Sequence, residues 1–171
     1  MAGLIDELMD NLEKENEEYQ KLLELAQEKT GIIIRGDIDA LQKLTEREQL
    51  IVERITPLEK KRVEYTKDIA TVINKPVESL TITRLIELME SQPAVKKRLS
   101  EIHDKLHNTM TQMVKINDMN QGLLKEALEL VNFDITLMNS MKQAPITANY
   151  DRSAANTEEH MITRGAFDAR Q

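Results

Sequence analysis

The sequence predicts an all-α protein: an elongated antiparallel helical bundle, or coiled-coil hairpin, of three long helices and one short one, with a flexible C-terminal tail. Three observations lead there. Strong helix formers dominate the 171 residues, and five Gly with four Pro leave little turn chemistry for a many-stranded sheet. Aromatic side chains number three Tyr and two Phe with no Trp, where a compact globular core of this size normally draws on more aromatic area. Apolar residues recur at alternating three- and four-residue spacing through most of the chain, which is the period of packed helices.

The first helix is expected at about 4–34, where Ile5, Leu8, Leu12, Tyr19, Leu22, Ala26 and Ile33 share a face, with Glu15 and Lys29 as polar interruptions. Arg35-Gly36-Asp37 breaks the pattern. Gly36 suits a C-terminal cap with positive φ, and Asp37 can accept the free N–H groups of the next helix, so the two helices can fold back as a hairpin. The same tripeptide spells an adhesion motif, but capping chemistry accounts for it here. The second helix, about 38–73, carries Leu41, Leu44, Glu48, Ile51, Ile55, Leu58, Arg62, Tyr65, Ile69 and Val72 without a slip in register. Pro57 lies inside this run and should bend the helix near 53–57 without ending it, because the stripe passes through in register. Asn74-Lys75-Pro76 ends it. Ser79 or Thr81 can cap a short third helix at about 82–91, and Pro93 suits the first turn of the last, at about 94–141.

The last helix departs from a simple seam. One stripe runs from Val95 through Leu99, Ile102, Met113, Leu123 and Leu130 to Met141, with eleven of fourteen positions apolar. A second begins at Met110 and continues Val114, Asn117, Gln121, Leu124, Leu128, Val131, Ile135 and Met138. Beyond residue 123 more than half of the circumference is apolar, and such a helix needs cover. The candidates are the chain's own tail, a second copy or a partner protein, against the plainer reading of an ordinary helical core. Five of the nine Met lie on this helix. Met110 and Met113 read as core filler, whereas Met138 and Met141 equally suit a surface that adapts to more than one shape. From residue 143 the chain turns small and polar, too poor in apolar area to offset the entropy of ordering. The expected organisation is thus a bundle domain at 1–142 and a mostly disordered tail at 143–171.

Several function classes fall away. With 23 Lys plus Arg against 30 Asp plus Glu the formal charge is −7, the wrong sign for phosphate binding, so no nucleic-acid partner is expected. Cysteine is absent, which removes disulfides, thiolate metal sites and a thiol nucleophile. No apolar run approaches the ~20 residues that span a bilayer, and the N-terminus turns acidic at once, so a cytoplasmic protein without membrane insertion is expected. His103 and His107 share a helical face, yet no Glu-x-x-His pair accompanies them, and a solvated face outweighs a metal site. Phosphate-binding loops and nucleophile elbows are missing too, so neither enzyme activity nor a cofactor is expected. The glutamates read as solvated helix faces, with Glu17–Lys21 and Glu101–Lys105 at pairing distance in sequence.

Three stretches carry a family likeness: Leu22 to Lys29 followed by Arg35 to Thr45, the weaker coiled-coil run Glu46 to Lys60, and Ile116 to Phe133, in which Asn117-x-x-Asn120 precedes Leu123-Leu124 and Ala127 to Asn132. In these the chain resembles FlgN, the flagellar type III export chaperones for hook–filament junction proteins. The resemblance implies a cytoplasmic, non-enzymatic helical chaperone. Such a chaperone binds the helical terminal segment of hook-associated proteins, prevents their premature assembly and delivers them to the flagellar export apparatus. Helical facing nominates Leu124, Leu128, Val131, Ile135 and Met138 as apolar anchors for the client. Asn117 and Asn132, with support from the likeness, would bond its backbone. The alternative is a structural coiled-coil protein that self-associates, as a homodimer or more, through the over-hydrophobic end of its last helix.

Overall fold

The computed structural model describes residues 2–143, and among them every regular element is helical. In chain order these are α1 (Ala2–Arg35), α2 (Ile38–Val72), one 3₁₀ turn (Val77–Ser79), α3 (Ile82–Leu88) and α4 (Pro93–Gln143). From residue 144 onward the expected tail lies outside the described residues. The chain divides into two units, Met1–Phe133 and Asp134–Gln171. The first holds the bundle. Of the second, residues 134–143 are described, and all are helical and exposed.

Local chemistry sets the helix ends. Gly36 adopts φ +66°, a conformation that a Cβ would strain, and its N–H bonds to Ile33 O at 3.0 Å while the N–H of Asp37 reaches Ile32 O at 3.3 Å. The Asp37 carboxylate then accepts from the Ala40 N–H at 2.9 Å, capping α2. Thr81 caps α3 by accepting from Arg84 N at 3.1 Å. α3 ends three residues before its expected limit. Met89 N bonds to Ile86 O and Gln92 N to Met89 O, two tight turns that lead into Pro93 as the first residue of α4. α2 runs through Pro57 as one helix.

Within the first unit α1 lies between two neighbours. α2 runs antiparallel to it: Asn11 Nδ2 donates to Leu58 O at 2.9 Å, and Lys29 Nζ to Glu48 at 2.6 Å. α4 runs parallel to it: Arg98 reaches Asp10, Thr109 reaches Asn16, and Asn120 reaches Ala26. Two flanks of α1 are therefore buried, not the single stripe expected. Met9, Asn16, Leu23 and Leu25 join Ile5, Leu8 and Leu12, and Glu15, expected as a polar interruption, is 1% exposed. On α2 the expected stripe is buried at Leu44, Ile51, Ile55 and Ile69, then leaves the core at Val72, 52% exposed, with Ala70 buried instead. A straight 3.6-residue helix drifts against a 3.5-residue repeat in this way. Lys21 pairs with Glu18, the neighbour of the Glu17 read from the sequence, and Glu101 pairs with Lys97, one turn before it, rather than with Lys105 one turn after.

The buried apolar residues fall into two clusters. One joins the start of α1, the end of α2, α3 and the start of α4, around Leu8, Leu12, Ile69, Leu85 and Leu99. The other, around Tyr19, Leu23, Ile51, Ile55 and Met113, is built from the three long helices nearer the α1–α2 turn.

Candidate functional site

The first stripe of α4 is a core stripe for only part of its length. Leu99, Ile102, Thr109, Met113 and Asn120 are buried and Leu123 is partly so, but Ala127 and Leu130 of the same stripe are exposed. The cause is the length of the neighbours. Partners on the parallel helices α1 and α4 stand 88 residues apart at Asp10–Arg98 and 94 apart at Ala26–Asn120. At that register the Gly36 turn, where α1 and α2 end, is level with about residues 126–130 of α4. In the first unit Leu128, Leu130, Val131 and Phe133 are accordingly 64, 62, 52 and 64% exposed. In the second unit Ile135 and Met138 are 51 and 58% exposed, and Leu137 and Met141 are exposed with them.

The second stripe has a different setting ahead of that point. Met110 packs on the Tyr19–Met113 cluster, whereas Val114 is exposed. Asn117, Gln121 and Leu124 then form one wall of an open pocket of about 370 Å³. Its other sides come from Leu22 and Ala26 of α1 and Val52 of α2. The Lys29–Glu48 ion pair, with side chains 19 and 17% exposed, edges it. The pocket thus offers aliphatic surface beside two exposed side-chain amides, each with donors and an acceptor.

Of the seven residues nominated from the sequence, Asn117 and Leu124 meet in this pocket. Leu128, Val131 and Asn132 are exposed further along the first unit, and Ile135 and Met138 are exposed in the second. Sequence reasoning missed Leu22, Ala26 and Val52, which reach the pocket from other helices and carry no local signal. It also passed over Asn120. This residue is 3% exposed, donates to Ala26 O at 2.8 Å and accepts from Thr30 Oγ1 at 2.6 Å, tying α4 to α1. A polar residue interrupting an apolar stripe was the available signal, since such a residue commonly sets helix register.

His103 and His107 stack with ring centroids 6.2 Å apart, and no three His, Cys, Asp or Glu side chains among the described residues are grouped to hold a metal. No helix of the described residues is long and apolar enough to cross a membrane.

These features define an all-helical bundle protein with solvent-open apolar residues on its last helix and an amide-edged pocket beside them. The FlgN protein family model matches residues 1–158, and the chain belongs to that family. It is similar to the uncharacterized protein YvyG of Bacillus subtilis (strain 168), with 24% identity over 120 residues, 70% of this chain and 71% of that protein. No solved structure matches the chain.

Proposed function

We propose that this protein is a flagellar export chaperone. It binds the helical terminal segment of hook-associated proteins in the cytoplasm, keeps them from assembling early and delivers them to the type III export apparatus. Family membership supports the class of function. The observation that carries the binding surface is the exposure of Leu128, Val131 and Phe133 at 64, 52 and 64% on a continuous helix. Isolated exposed aliphatic residues are ordinary, but a cluster of this kind on one helix marks an interaction surface.

An amphipathic client helix suits this surface. It would cover aliphatic residues worth roughly 1.5–3 kcal/mol each when fully buried. In the first unit Leu124, Leu128 and Val131 serve as anchors and the exposed amide of Asn117 receives polar groups of the client; Ile135 and Met138 are exposed apolar positions of the second unit. Chemistry on the client is not required for this task, in keeping with a non-enzymatic role.

Titration of the terminal helical segment of the same organism's hook-associated proteins into the full chain, followed by calorimetry, tests the reading. The variant Leu128→Asp/Val131→Asp changes two exposed positions and should keep its circular dichroism and melting temperature. One-to-one binding weakened about 100-fold or more in the variant is expected. Absence of binding by the natural chain removes this client. Sedimentation showing a tight dimer that the variant dissolves would instead favour self-association.

A further inference from the structure

Between the two apolar clusters the bundle is polar across all three long helices. Asn11, Glu15, Asn16 and Thr109 are 5, 1, 8 and 5% exposed. Asn11 is held by Leu58 O, and Glu15 by both carboxylate oxygens on Arg62 Nε at 3.1 and 3.2 Å. Thr109 Oγ1 donates to Asn16 Oδ1 at 3.0 Å, and Tyr19 donates its hydroxyl to Glu59 one turn further on. No buried apolar residue belongs to both clusters, and of the partly buried ones only Leu106 packs against both. This belt interrupts the core.

The two sides of the belt are unequal. The α3-side cluster has eleven buried members, 0–5% exposed, and is closed by Leu85 of α3 and by Met89 just after it. The turn-side cluster has six, 4–9% exposed, and among the described residues they come from the three long helices alone. Ala26, Ile32, Ile33 and Leu44 are buried nearer the turn, at 1–7% exposed, but join neither cluster. Local opening follows the regions whose buried apolar residues are least knit together. A boundary between open and closed structure is cheapest where the newly wetted groups are polar, since Glu15 and Arg62, and Asn16 and Thr109, regain water when each pair parts.

We propose that the first unit opens in two steps, and that the turn-side half opens by itself while the α3-side half stays folded, with the polar belt as the seam. The opening half comprises about residues 19–55 of α1 and α2 and residues 110–124 of α4. The pocket of Leu22, Ala26, Val52, Asn117 and Leu124 lies wholly on it, so whatever enters that pocket does so on the part of the bundle that loosens first. The inference rests on burial and the belt, and it stands whether or not the partner is a hook-associated protein.

Native-state hydrogen exchange of the full chain, read by mass spectrometry over a range of low denaturant, decides it. Amides around Leu23, Ile51 and Met113 should exchange together and at least ~10-fold faster than those around Leu8, Ile69 and Leu99. Leu23→Ala should accelerate the turn-side group by ~10-fold or more and leave the α3-side group within ~2-fold. Glu15→Leu/Arg62→Leu, which joins the clusters with apolar side chains, should bring the two groups toward one rate. A single exchange class spanning both halves of the natural chain overturns the proposal, and that measurement needs no variant to fold. Equal acceleration of both halves by Leu23→Ala overturns it as well.

Discussion

Leu99 and Leu130 occupy the same stripe of the same helix, yet the first is 0% exposed and the second 62%. Near α3 the stripe meets α1, α2 and α3 together. Past the Gly36 turn it meets neither long neighbour, because both have ended. Periodicity therefore decides which residues share a face, and the length and register of the neighbouring helices decide whether that face is core or surface. The difference separates a part of α4 that builds the bundle from a part that, among the described residues, no other helix covers.

The largest expected effect breaks this comparison directly if it fails. Leu99→Ala removes a fully buried side chain and should cost about 3 kcal/mol in urea unfolding, within the range for buried leucines. Leu130→Ala should stay within about 0.5 kcal/mol of the natural chain, as exposed substitutions do. Similar losses from both would mean that the outer part of the stripe is covered in solution.

A second test concerns the belt. Burial pushes the Glu15 carboxyl above its ordinary value of 4.5, while the Arg62 charge and hydrogen bond pull it down and the Glu59 charge adds a smaller upward push. Burial prevails. Arg62 keeps 36% of its side chain in solvent, so the members of the pair are not equivalent. Arg62→Met leaves a buried carboxylate without its cation and should cost about 2 kcal/mol at neutral pH. Glu15→Gln leaves an arginine that water still reaches, and should fall within about 1 kcal/mol of the natural chain. The pH dependence has a definite sign. A carboxyl whose folded value is raised contributes stability that is fully present below 4.5 and lost as pH rises through the folded value. The natural chain should lose stability relative to Glu15→Gln as pH climbs through that window, and an opposite slope would show that Arg62 outweighs burial.

Much of the fold was legible because its determinants are local. Gly36 and Asp37 form a cap that reads directly from their chemistry, and the α2 stripe passes Pro57 in register because one residue cannot undo four heptads. The apolar surplus beyond residue 123 was legible for the same reason, as a count of apolar positions around one helix. What stayed hidden depends on three helices at once. Glu15 looks like a solvated interruption until Arg62 is placed opposite it, and Leu22 and Val52 join Asn117 only after α1, α2 and α4 are set in register. α3 was read three residues too long because Met89 is apolar and in phase, and phase does not show that a backbone has turned.

The smallest effect sharpens the comparison between the halves. Asp37 and Thr81 each accept one backbone N–H at the start of a helix, at 2.9 and 3.1 Å. Each is worth about 1 kcal/mol as a cap, so removal to Ala would look alike in a uniformly cooperative bundle. They serve different halves, however. Asp37→Ala should speed exchange of turn-side amides about fivefold and barely move the global urea midpoint, because the half it caps is already open before global unfolding. Thr81→Ala weakens the α3-side half, which unfolds last, and should lower global stability by about 1 kcal/mol while leaving turn-side exchange unchanged. Identical shifts of the urea midpoint by both variants would mean that the belt does not divide the bundle, and that the exposed end of α4 is attached to a single cooperative unit.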